Sequence, residues 1–305
     1  MRCIFLGTPE FAIPAADAVL RASTGELVGI ITQPDRPVGR SRVPTPPPLA
    51  TWATEHRIAL FQPETTDDLR RVIIERNLDI GIVVAYGRII PQDVLALPRL
   101  GFVNLHPSLL PRWRGPSPIA AAIATGDTET GVTLMLLDAE VDHGPIIAQE
   151  RIPLSPSATR SPLERELADL GARLLTRILP EYLAGRITPQ PQEHTAATYS
   201  TLLTRDDGRI DWREPAAVIE RKVRAYEGWP GTWCILPNGK RLKVLQATLD
   251  GNAIESPGAV LQNGTFTVSC GDHRALLLDR VEPEGKPPMD GRAFLRGHPD
   301  ITRVA

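Results

Sequence analysis

Cysteine is scarce in this chain of 305 residues, and its placement excludes two classes of small cross-linked protein. The three cysteines, Cys3, Cys234 and Cys270, lie far apart and form no CxxC pair. An odd, scattered set argues against a disulfide framework and against a zinc ribbon. We therefore expect reduced thiols and a cytoplasmic location.

Long hydrophobic runs and a strong excess of one charge are also missing. Apolar stretches such as "IGIVVAYG" fall well short of the roughly 18 residues that a membrane-spanning helix needs. The start, "MRCIFLGTPEF", has a short apolar run interrupted by Gly7 and Pro9, so we expect no signal peptide. The net charge of -2 argues against a generally basic nucleic-acid coat but leaves room for a local basic groove.

The first half of the chain has the pattern of an α/β domain. Apolar residues make up 42% of the chain and charged residues 23%, as in a globular protein long enough for one large domain or two ordinary ones. Uniformly apolar strand patterns such as "CIFLG" and "DIGIVVAYG" alternate with helical patterns, which predicts a mostly parallel, Rossmann-like sheet covered on both faces. The amphipathic stretch "SPLERELADLGARLLTRILPEYLAG" predicts a long helix closed by Gly185, where the first domain, residues 1–185, should end.

A change of texture then predicts a second domain. Residues 186–205 show no sustained period and are expected to form a linker. Within residues 206–305, one helical pattern, "EPAAVIERKVRAY", precedes about five short strand patterns separated by turn signals, which predict a small β-barrel of the OB-like type. The Asn-Gly centres of "PNGK" and "QNGT" predict hairpin turns.

Polar side chains follow three of the predicted strands in the first domain. Asn104 and His106 come after "GFV", within "NLHPSLLPRWRGPSP". Asp138 and Asp142 come after "GVTLMLL", and "AYGRIIP" follows "DIGIVV". Ligands of open parallel sheets bind beyond the carboxyl ends of the strands, so we expect these groups to meet in one crevice.

The residue types in this crevice suit chemistry at a carbonyl carbon. The Asn104 amide can donate to an oxygen that gains negative charge, and His106 can move a proton near neutral pH or donate to the same oxygen. Asp142 can orient the imidazole. Since no activated Ser or Cys lies nearby in the sequence, direct attack by a substrate amine is favoured over an acyl-enzyme route.

Spacing alone leaves other interpretations open. The Asn-x-His pattern can be structural, and Asp142 with His143 can form a turn. A metal site from His106, Asp142 and His143 is conceivable, although adjacent residues rarely converge on one ion. A dinucleotide site is weakly supported, because "GTPEFA" lacks the second glycine of GxGxxG.

Two basic segments can be either solvent-exposed or phosphate-binding. The proline-rich loop "RPVGRSRVPTPPP" carries Arg36, Arg40 and Arg42, and phosphate contacts of such a loop fix position rather than read sequence. The second segment, "NGKRLKV", carries Lys240, Arg241 and Lys243. Charge alone does not choose between the two interpretations.

Several segments, in the same order and spread over nearly the whole chain, resemble the methionyl-tRNA formyltransferase family of folate-dependent formyltransferases. The resemblance implies a formyl-folate-binding Rossmann-like domain and a tRNA-contacting OB-like barrel. It implies formyl transfer from 10-formyltetrahydrofolate to the α-amine of methionyl initiator tRNA. The matching segments are "FLGTPEFA", "TQPDRPVGR", "AYGRIIP", "NLHPSLLPRWRGPSPI", "VDHG", "DDGRIDW", "RAYEGWPGTW", "PEGKPPM" and "FLRG".

The resemblance also assigns roles to particular residues. The catalytic asparagine, histidine and aspartate fall on Asn104, His106 and Asp142. The tRNA-contacting loop carries Arg36, Arg40 and Arg42, no metal is implied, and a monomer is expected. The residues expected to bind the folate are Ala85, Tyr86, Gly87, Arg88, Ile89, Ile90, Ser108, Leu109, Leu110, Pro111 and Asp138.

The chain departs from the family pattern at three places. His143 stands where threonine is usual, the basic loop reads "GRSRVPTP" in place of "GRGKKL", and a lysine common in the linker is absent. These departures bear on how the site and the tRNA contacts are tuned. The alternatives are an amino-sugar-nucleotide formyltransferase, a formyl-folate hydrolase and a non-catalytic RNA-binding protein.

Overall fold

The chain folds into two compact units. The computed structural model describes residues 1–22, 25–38, 43–261 and 264–305, with Val38 described by its backbone alone. The first unit comprises Met1–Pro118, Glu129–Pro153 and Glu164–Ser200, and the second comprises Ile119–Thr128, Leu154–Leu163 and Thr201–Ala305. The division into a catalytic domain (residues 1–185), a linker (186–205) and a tRNA-contacting domain (206–305) stays a prediction. Within the described residues, no helix has both the length and the apolar character needed to cross a membrane.

A seven-stranded sheet organises the first unit. Its strands are β1 (Arg2–Gly7), β2 (Glu26–Ile31), β5 (Leu60–Phe61), β6 (Ile80–Val84), β7 (Phe102–His106), β8 (Glu129–Leu136) and β9 (Ile146–Pro153). The spatial order is β5-β2-β1-β6-β7-β8-β9. Strands β5, β2, β1, β6 and β7 pair in parallel, whereas β8 and β9 join in antiparallel fashion. The mostly parallel sheet predicted from the apolar runs is therefore confirmed.

The centre of this sheet is covered on both faces. Every residue of β6 and β7 is buried, as the unbroken apolar patterns of parallel strands require. Leu69 and Ile73 belong to the buried cluster on one face. On the opposite face of the sheet, a Cβ at Gly171 would come within 2.4 Å of the Leu105 side chain. The glycine therefore allows its backbone to pack closely against β7. The helices of the chain's first two thirds are α1 (Ile13–Arg21), α2 (Pro48–Glu55), α3 (Thr66–Arg76), α4 (Gln92–Leu95), α5 (Pro118–Thr125) and α6 (Arg160–Leu183).

Strand β9 is an edge strand that the sequence pattern did not predict. Its burial alternates, because its outward positions carry polar and charged side chains such as Gln149 and Arg151. A half-exposed edge strand lacks the continuous apolar run that marks the central strands. It pairs with β8 as an antiparallel hairpin.

The basic, proline-rich loop contains a small two-stranded ribbon. Strands β3 (Arg36–Val38) and β4 (Val43–Thr45) pair in antiparallel fashion, with Arg36 opposite Thr45. Arg36 is exposed. Arg40 and Arg42, the other two residues predicted to contact tRNA, lie outside the described residues.

The second unit contains a five-stranded antiparallel sheet with its own core. The elements are α7 (Ala216–Ala225), β10 (Thr232–Ile235), β11 (Arg241–Asn252), β12 (Thr267–Ser269), β13 (Arg274–Pro283), β14 (Met289–Asp290) and α8 (Gly291–Arg296). The predicted "PNGK" hairpin joins β10 to β11 as expected, whereas the "QNGT" turn lies partly outside the described residues. Helix α7 packs against β11, and the stacked rings of Phe266 and Phe294 lie 5.6 Å apart in the core.

Candidate active site

Asn104 and His106 project from the same face of β7. Side chains alternate along a strand, so the residue between them, Leu105, points the opposite way, towards Gly171 of α6. Asn104 is 8% exposed and His106 is 5% exposed. Two buried polar side chains on adjacent positions of one strand face need polar partners.

Asp142 supplies those partners from the loop between β8 and β9. Its Oδ1 accepts a long hydrogen bond of 3.4 Å from Nδ2 of Asn104. Its Oδ2 lies 3.5 Å from Nδ1 of His106 and accepts a hydrogen bond of 2.8 Å from the Gly115 backbone N–H. The structure thus brings together the three residues that the sequence singled out for catalysis.

The reason for this convergence differs from the one that strand direction suggested. The prediction placed Asp142 beside His106 because both follow strands whose carboxyl ends would share one edge. Strand β8 runs antiparallel to β7, with Leu136 opposite Val103, so its carboxyl end lies at the other end of β7. The loop instead folds back over the face of β7 that carries Asn104 and His106.

The hydrogen bonds of His106 define which ring nitrogen carries a proton. Its Nε2 lies 2.9 Å from the backbone carbonyl oxygen of Trp113. A carbonyl oxygen can only accept, so Nε2 donates. Nδ1 of the neutral ring would then direct a lone pair at the Asp142 carboxylate. Nδ1 is therefore the ring nitrogen through which His106 can exchange a proton with Asp142.

The backbone around Asp142 is held in an uncommon conformation. Asp142 has a φ of 49°, in the left-handed region that few residues other than glycine adopt. The side-chain amide of Gln192 donates to the carbonyl oxygens of Asp142 and Gly144, both at 2.8 Å. Gly144 has no room for a side chain, because a Cβ there would lie 2.1 Å from the Leu136 carbonyl oxygen.

Asp138 and His143 form a second pair in the same loop. His143 Nδ1 lies 2.6 Å from Oδ2 of Asp138, and the other carboxylate oxygen accepts from the Glu140 N–H. The His143 ring stacks on that of His194, with centroids 4.0 Å apart and planes 9° from parallel. His143, the departure from the family pattern, therefore has a structural partner.

The predicted folate loop, from Ala85 to Ile90, is a shaped turn after β6. Thr8 and Gln33 donate to the Tyr86 carbonyl oxygen at 2.9 and 3.1 Å, which fixes the loop's backbone. Ile89 is 82% exposed, whereas Tyr86 and Ile90 are buried in the core. Burial raises the pKa of the Tyr86 phenol, and the nearby Arg88 opposes that rise.

The predicted folate residues from Ser108 to Pro111 are mostly committed to the fold. Ser108 and Leu110 are buried, and the Ser108 hydroxyl donates to the Arg112 carbonyl oxygen at 2.6 Å. Thr133 accepts from the Leu110 N–H at 3.1 Å and donates to the Ser108 carbonyl oxygen at 2.7 Å. Leu109 and Pro111 are half-buried.

Two exposed arginines of the second unit lie over the ring of Trp233. The guanidinium groups of Arg209 and Arg241 lie 5.9 and 4.5 Å from the centroid of the buried ring, within the range of cation–π contact. A cavity of about 480 Å³ nearby is lined by residues that include Arg209, Arg213 and Arg303. Lys243 is ion-paired with Glu282 at 3.0 Å.

Segment 190–200, which the sequence pattern assigned to a linker, contributes side chains that sequence reasoning missed. Gln192 and Ser200 are buried, and His194 contacts the buried Arg114 of the "PRWRG" stretch. The segment has no apolar periodicity, so its place beside the site followed from no local signal. Among the described residues, no group of three or more His, Cys, Asp or Glu side chains is arranged to hold a metal ion.

Comparison with known proteins identifies the class to which this fold and site belong. Residues 1–179 match the family model described as formyl transferase, and residues 202–299 match the formyl transferase C-terminal domain. The chain belongs to the formyl transferase family.

Particular relatives match over nearly their full length. The chain is 45% identical to the methionyl-tRNA formyltransferase of Chloroflexus aurantiacus (strain J-10-fl), over 100% of this chain and 99% of the relative. It is 44% identical to that of Roseiflexus sp. (strain RS-1), over 97% of this chain and 92% of the relative. The solved structure of the N-formyltransferase from Helicobacter canadensis, in complex with folinic acid and dTDP-3-aminofucose, has the same fold. It has a TM-score of 0.68 at 19% identity and covers 91% of this chain and 98% of that one.

Proposed function

We propose that this chain transfers a formyl group from 10-formyltetrahydrofolate to the α-amine of methionine on initiator tRNA. The observation that carries the proposal is the convergence of Asn104, His106 and Asp142 on one face of β7. It is supported by 45% sequence identity, over the full length of this chain, to a methionyl-tRNA formyltransferase. Folate is the formyl donor, and the protein serves translation initiation, for which we propose a cytoplasmic setting.

The three side chains divide the work of an amine attacking a formyl carbon. A new C–N bond forms, negative charge grows on the formyl oxygen, the amine loses a proton, and the bond from the formyl carbon to the folate nitrogen breaks, with that nitrogen taking up a proton. Asn104 donates to the oxygen as its charge grows. The His106 and Asp142 pair takes up the proton that the amine loses.

We propose that the folate lies against the turn from Ala85 to Ile90 and the loop around Asp138. The exposed side chain of Ile89 offers an apolar surface for a flat ring, and the fixed backbone of the turn pre-organises it. Leu109 and Pro111 are the remaining half-buried candidates of the 108–111 stretch. Ser108 and Leu110 act by holding that stretch in place.

We propose two separate sets of phosphate contacts for the tRNA. Arg36 on the exposed ribbon, with Arg40 and Arg42, forms one set in the first unit. Arg209 and Arg241 beside Trp233 form a second set in the second unit. Arginine suits both, because its planar guanidinium binds phosphate oxygens in pairs.

We further propose an OB-like barrel for the second unit and a monomer for the protein. The support for the barrel is its five antiparallel strands, together with irregular register in β11 between Val244 and Gln246 and between Leu249 and Asn252. Such irregularities bend a strand towards closure. An experimental structure with two free sheet edges would count against the barrel, and light scattering that gives twice the chain mass would count against the monomer.

The decisive assay supplies purified protein with 10-formyltetrahydrofolate and one of three acceptors. The acceptors are initiator methionyl-tRNA, elongator methionyl-tRNA and a dTDP-amino sugar. The proposal expects formylmethionine on the initiator tRNA, much less product on the elongator tRNA and none on the sugar. Formylation of the sugar in preference to tRNA would reassign the enzyme, and release of formate without an acceptor would indicate a hydrolase.

A further inference from the structure

The chain segment after α6 returns to the active site and is tied to it by backbone hydrogen bonds. Gln190 and Ile146 exchange hydrogen bonds of 2.7 and 2.8 Å, which fix one end of segment 190–200 to β9. At the other end, the Arg114 N–H donates to Thr198 at 2.9 Å, and the Ser200 N–H donates to Arg114 at 2.7 Å. Both ends of the segment are therefore held, and its middle carries Gln192.

Arg114 sets the orientation of the Gln192 side chain. Arg114 is 2% exposed, and its guanidinium donates twice to Oε1 of Gln192, from Nε at 3.1 Å and from Nη2 at 2.7 Å. A guanidinium has donors and no acceptor, so the amide oxygen must face Arg114. The NH₂ group of Gln192 must then point away from Arg114.

That NH₂ group meets the loop of the proposed catalytic aspartate. Its two protons are both used, one on the carbonyl oxygen of Asp142 and one on that of Gly144, each at 2.8 Å. The two bonds hold the loop on either side of His143. They restrain the left-handed backbone of Asp142, a conformation that is strained for a residue other than glycine.

The contacts of the Asp142 carboxylate with Asn104 and His106 depend on the position of the loop that carries Asp142. Its carboxylate lies 3.4 and 3.5 Å from these two side chains, at the outer limit of hydrogen bonding, so a small shift of the loop would end both contacts. The Gly115 N–H, which also holds the carboxylate, belongs to the residue after Arg114. Arg114 thus precedes Gly115, whose N–H holds the Asp142 carboxylate, and it also orients Gln192, whose amide holds the Asp142 backbone.

We propose that Gln192 is a positioning residue for formyl transfer, acting through Asp142, and that Arg114 fixes the amide in the working orientation. The inference rests on the function proposed above for Asp142. Gln192 is only 5% exposed, so we assign it no contact with either substrate. Its contribution is to the placement of the carboxylate.

Gln192→Glu isolates the proposed role. The carboxylate retains acceptors for Arg114 but loses both donors to the loop, and it sets negative charge against two carbonyl oxygens. We expect the single-turnover rate of formyl transfer to fall by about 10- to 100-fold, as misplacement of a catalytic group does, while KM for tRNA and folate changes by less than about threefold. Gln190→Glu is the matched control, because that exposed side chain donates to the Thr188 carbonyl oxygen instead of the loop, and its rate should be that of the wild type.

Two further measurements separate positioning from a general loss of structure. If Gln192 acts through Asp142, Gln192→Glu should lower the residual rate of Asp142→Asn by less than about threefold, because the carboxylate being placed is already gone. Hydrogen exchange of a peptide covering residues 138–146 should quicken in Gln192→Glu and not in Gln190→Glu, whatever the reaction catalysed. If Gln192→Glu does not fold, Gln192→Asn, which is one methylene shorter and uncharged, provides the same comparisons.

The outcomes are distinguishable from failure of the proposed function. If the wild-type chain is inactive but shows the predicted exchange pattern, formyl transfer is contradicted, while the restraint of the Asp142 loop by Gln192 is supported. An active wild-type chain whose Gln192→Glu variant keeps full rate and unchanged exchange would overturn the inference. Equal rate losses from Gln192→Glu in the wild-type and Asp142→Asn backgrounds would also overturn it.

Discussion

Nε2 of His106 donates to the backbone carbonyl oxygen of Trp113 at 2.9 Å, and this single bond determines how the imidazole can work. With Nε2 occupied as a donor, Nδ1 is the nitrogen that faces Asp142, and we propose that the proton passes across that contact. The peptide carbonyl therefore does for His106 what an orienting carboxylate does elsewhere, and it leaves the carboxylate free for the proton.

Replacing Asn104 with alanine tests the proposed stabilisation of the formyl oxygen. We expect kcat for methionyl-tRNA formylation to fall by about 100-fold or more, since loss of one donor to a developing oxyanion costs that much in other acyl-transfer sites. Binding of tRNA should change little, because the side chain lies in the buried site. Steady-state kinetics with a parallel tRNA-binding titration would check this, and a rise in KM with kcat unchanged would assign Asn104 to ground-state binding.

Gly144→Ala tests how tightly the Asp142 loop is packed. The added Cβ would lie 2.1 Å from the Leu136 carbonyl oxygen, so backbone must move to admit it. We expect a loss of about 2 kcal/mol in the free energy of unfolding, measured by urea titration. Gly251→Ala is the control, because a Cβ there meets nothing within 4 Å. Equal stability of the two variants would show that the loop is looser than the structure indicates.

Salt dependence tests the arginines proposed to contact tRNA. Arg36→Ala and Arg241→Ala should each weaken tRNA binding and reduce the slope of log K against log salt by about 1, the change expected for one lost phosphate contact. Arg165→Ala removes an exposed charge from α6 and should leave the slope unchanged. A variant at Arg36 or Arg241 with the wild-type slope would exclude that residue from the interface.

The three cysteines should be unreactive in the folded protein. Burial raises the pKa of Cys3 to about 11 and those of Cys234 and Cys270 to about 12. The thiolate, which is the reactive form, is therefore scarce in the native state at pH 8. Ellman's reagent should modify almost no thiol before denaturation and three after it. Because these thiols ionise at lower pH when unfolded, they contribute stability that is lost as the pH rises above about 9.

Local sequence signals predicted the first unit well where strands are central and helices amphipathic. The buried runs of β6 and β7 and the closure of α6 near Gly185 follow from periodicity and capping. Strand β9 and the direction of β8 did not, because edge strands carry polar residues and direction depends on long-range pairing. Residue type predicted that Asn104, His106 and Asp142 would lie together, yet Asp142 reaches the other two by a loop that folds back over β7.

The supports of the site were the least predictable part. Gln192 lies in "PQPQEH", whose composition indicates a turn-rich connection, and its role depends on Arg114, 78 residues earlier in the chain. Such a contact leaves no periodic or capping signature. The partnership of His143 with His194 is hidden for the same reason, since it depends on tertiary stacking.

The single-turnover rate of Asp142→Asn tests the central claim most directly. The amide keeps the size of the carboxylate and can still meet His106, but it cannot accept or hold the shared proton. With saturating 10-formyltetrahydrofolate and initiator methionyl-tRNA, we predict a rate at least about 100-fold below that of the wild type, with the affinities for both substrates within about threefold. Asp169→Asn, an exposed substitution on α6, should retain the wild-type rate. A wild-type rate for Asp142→Asn would contradict the account.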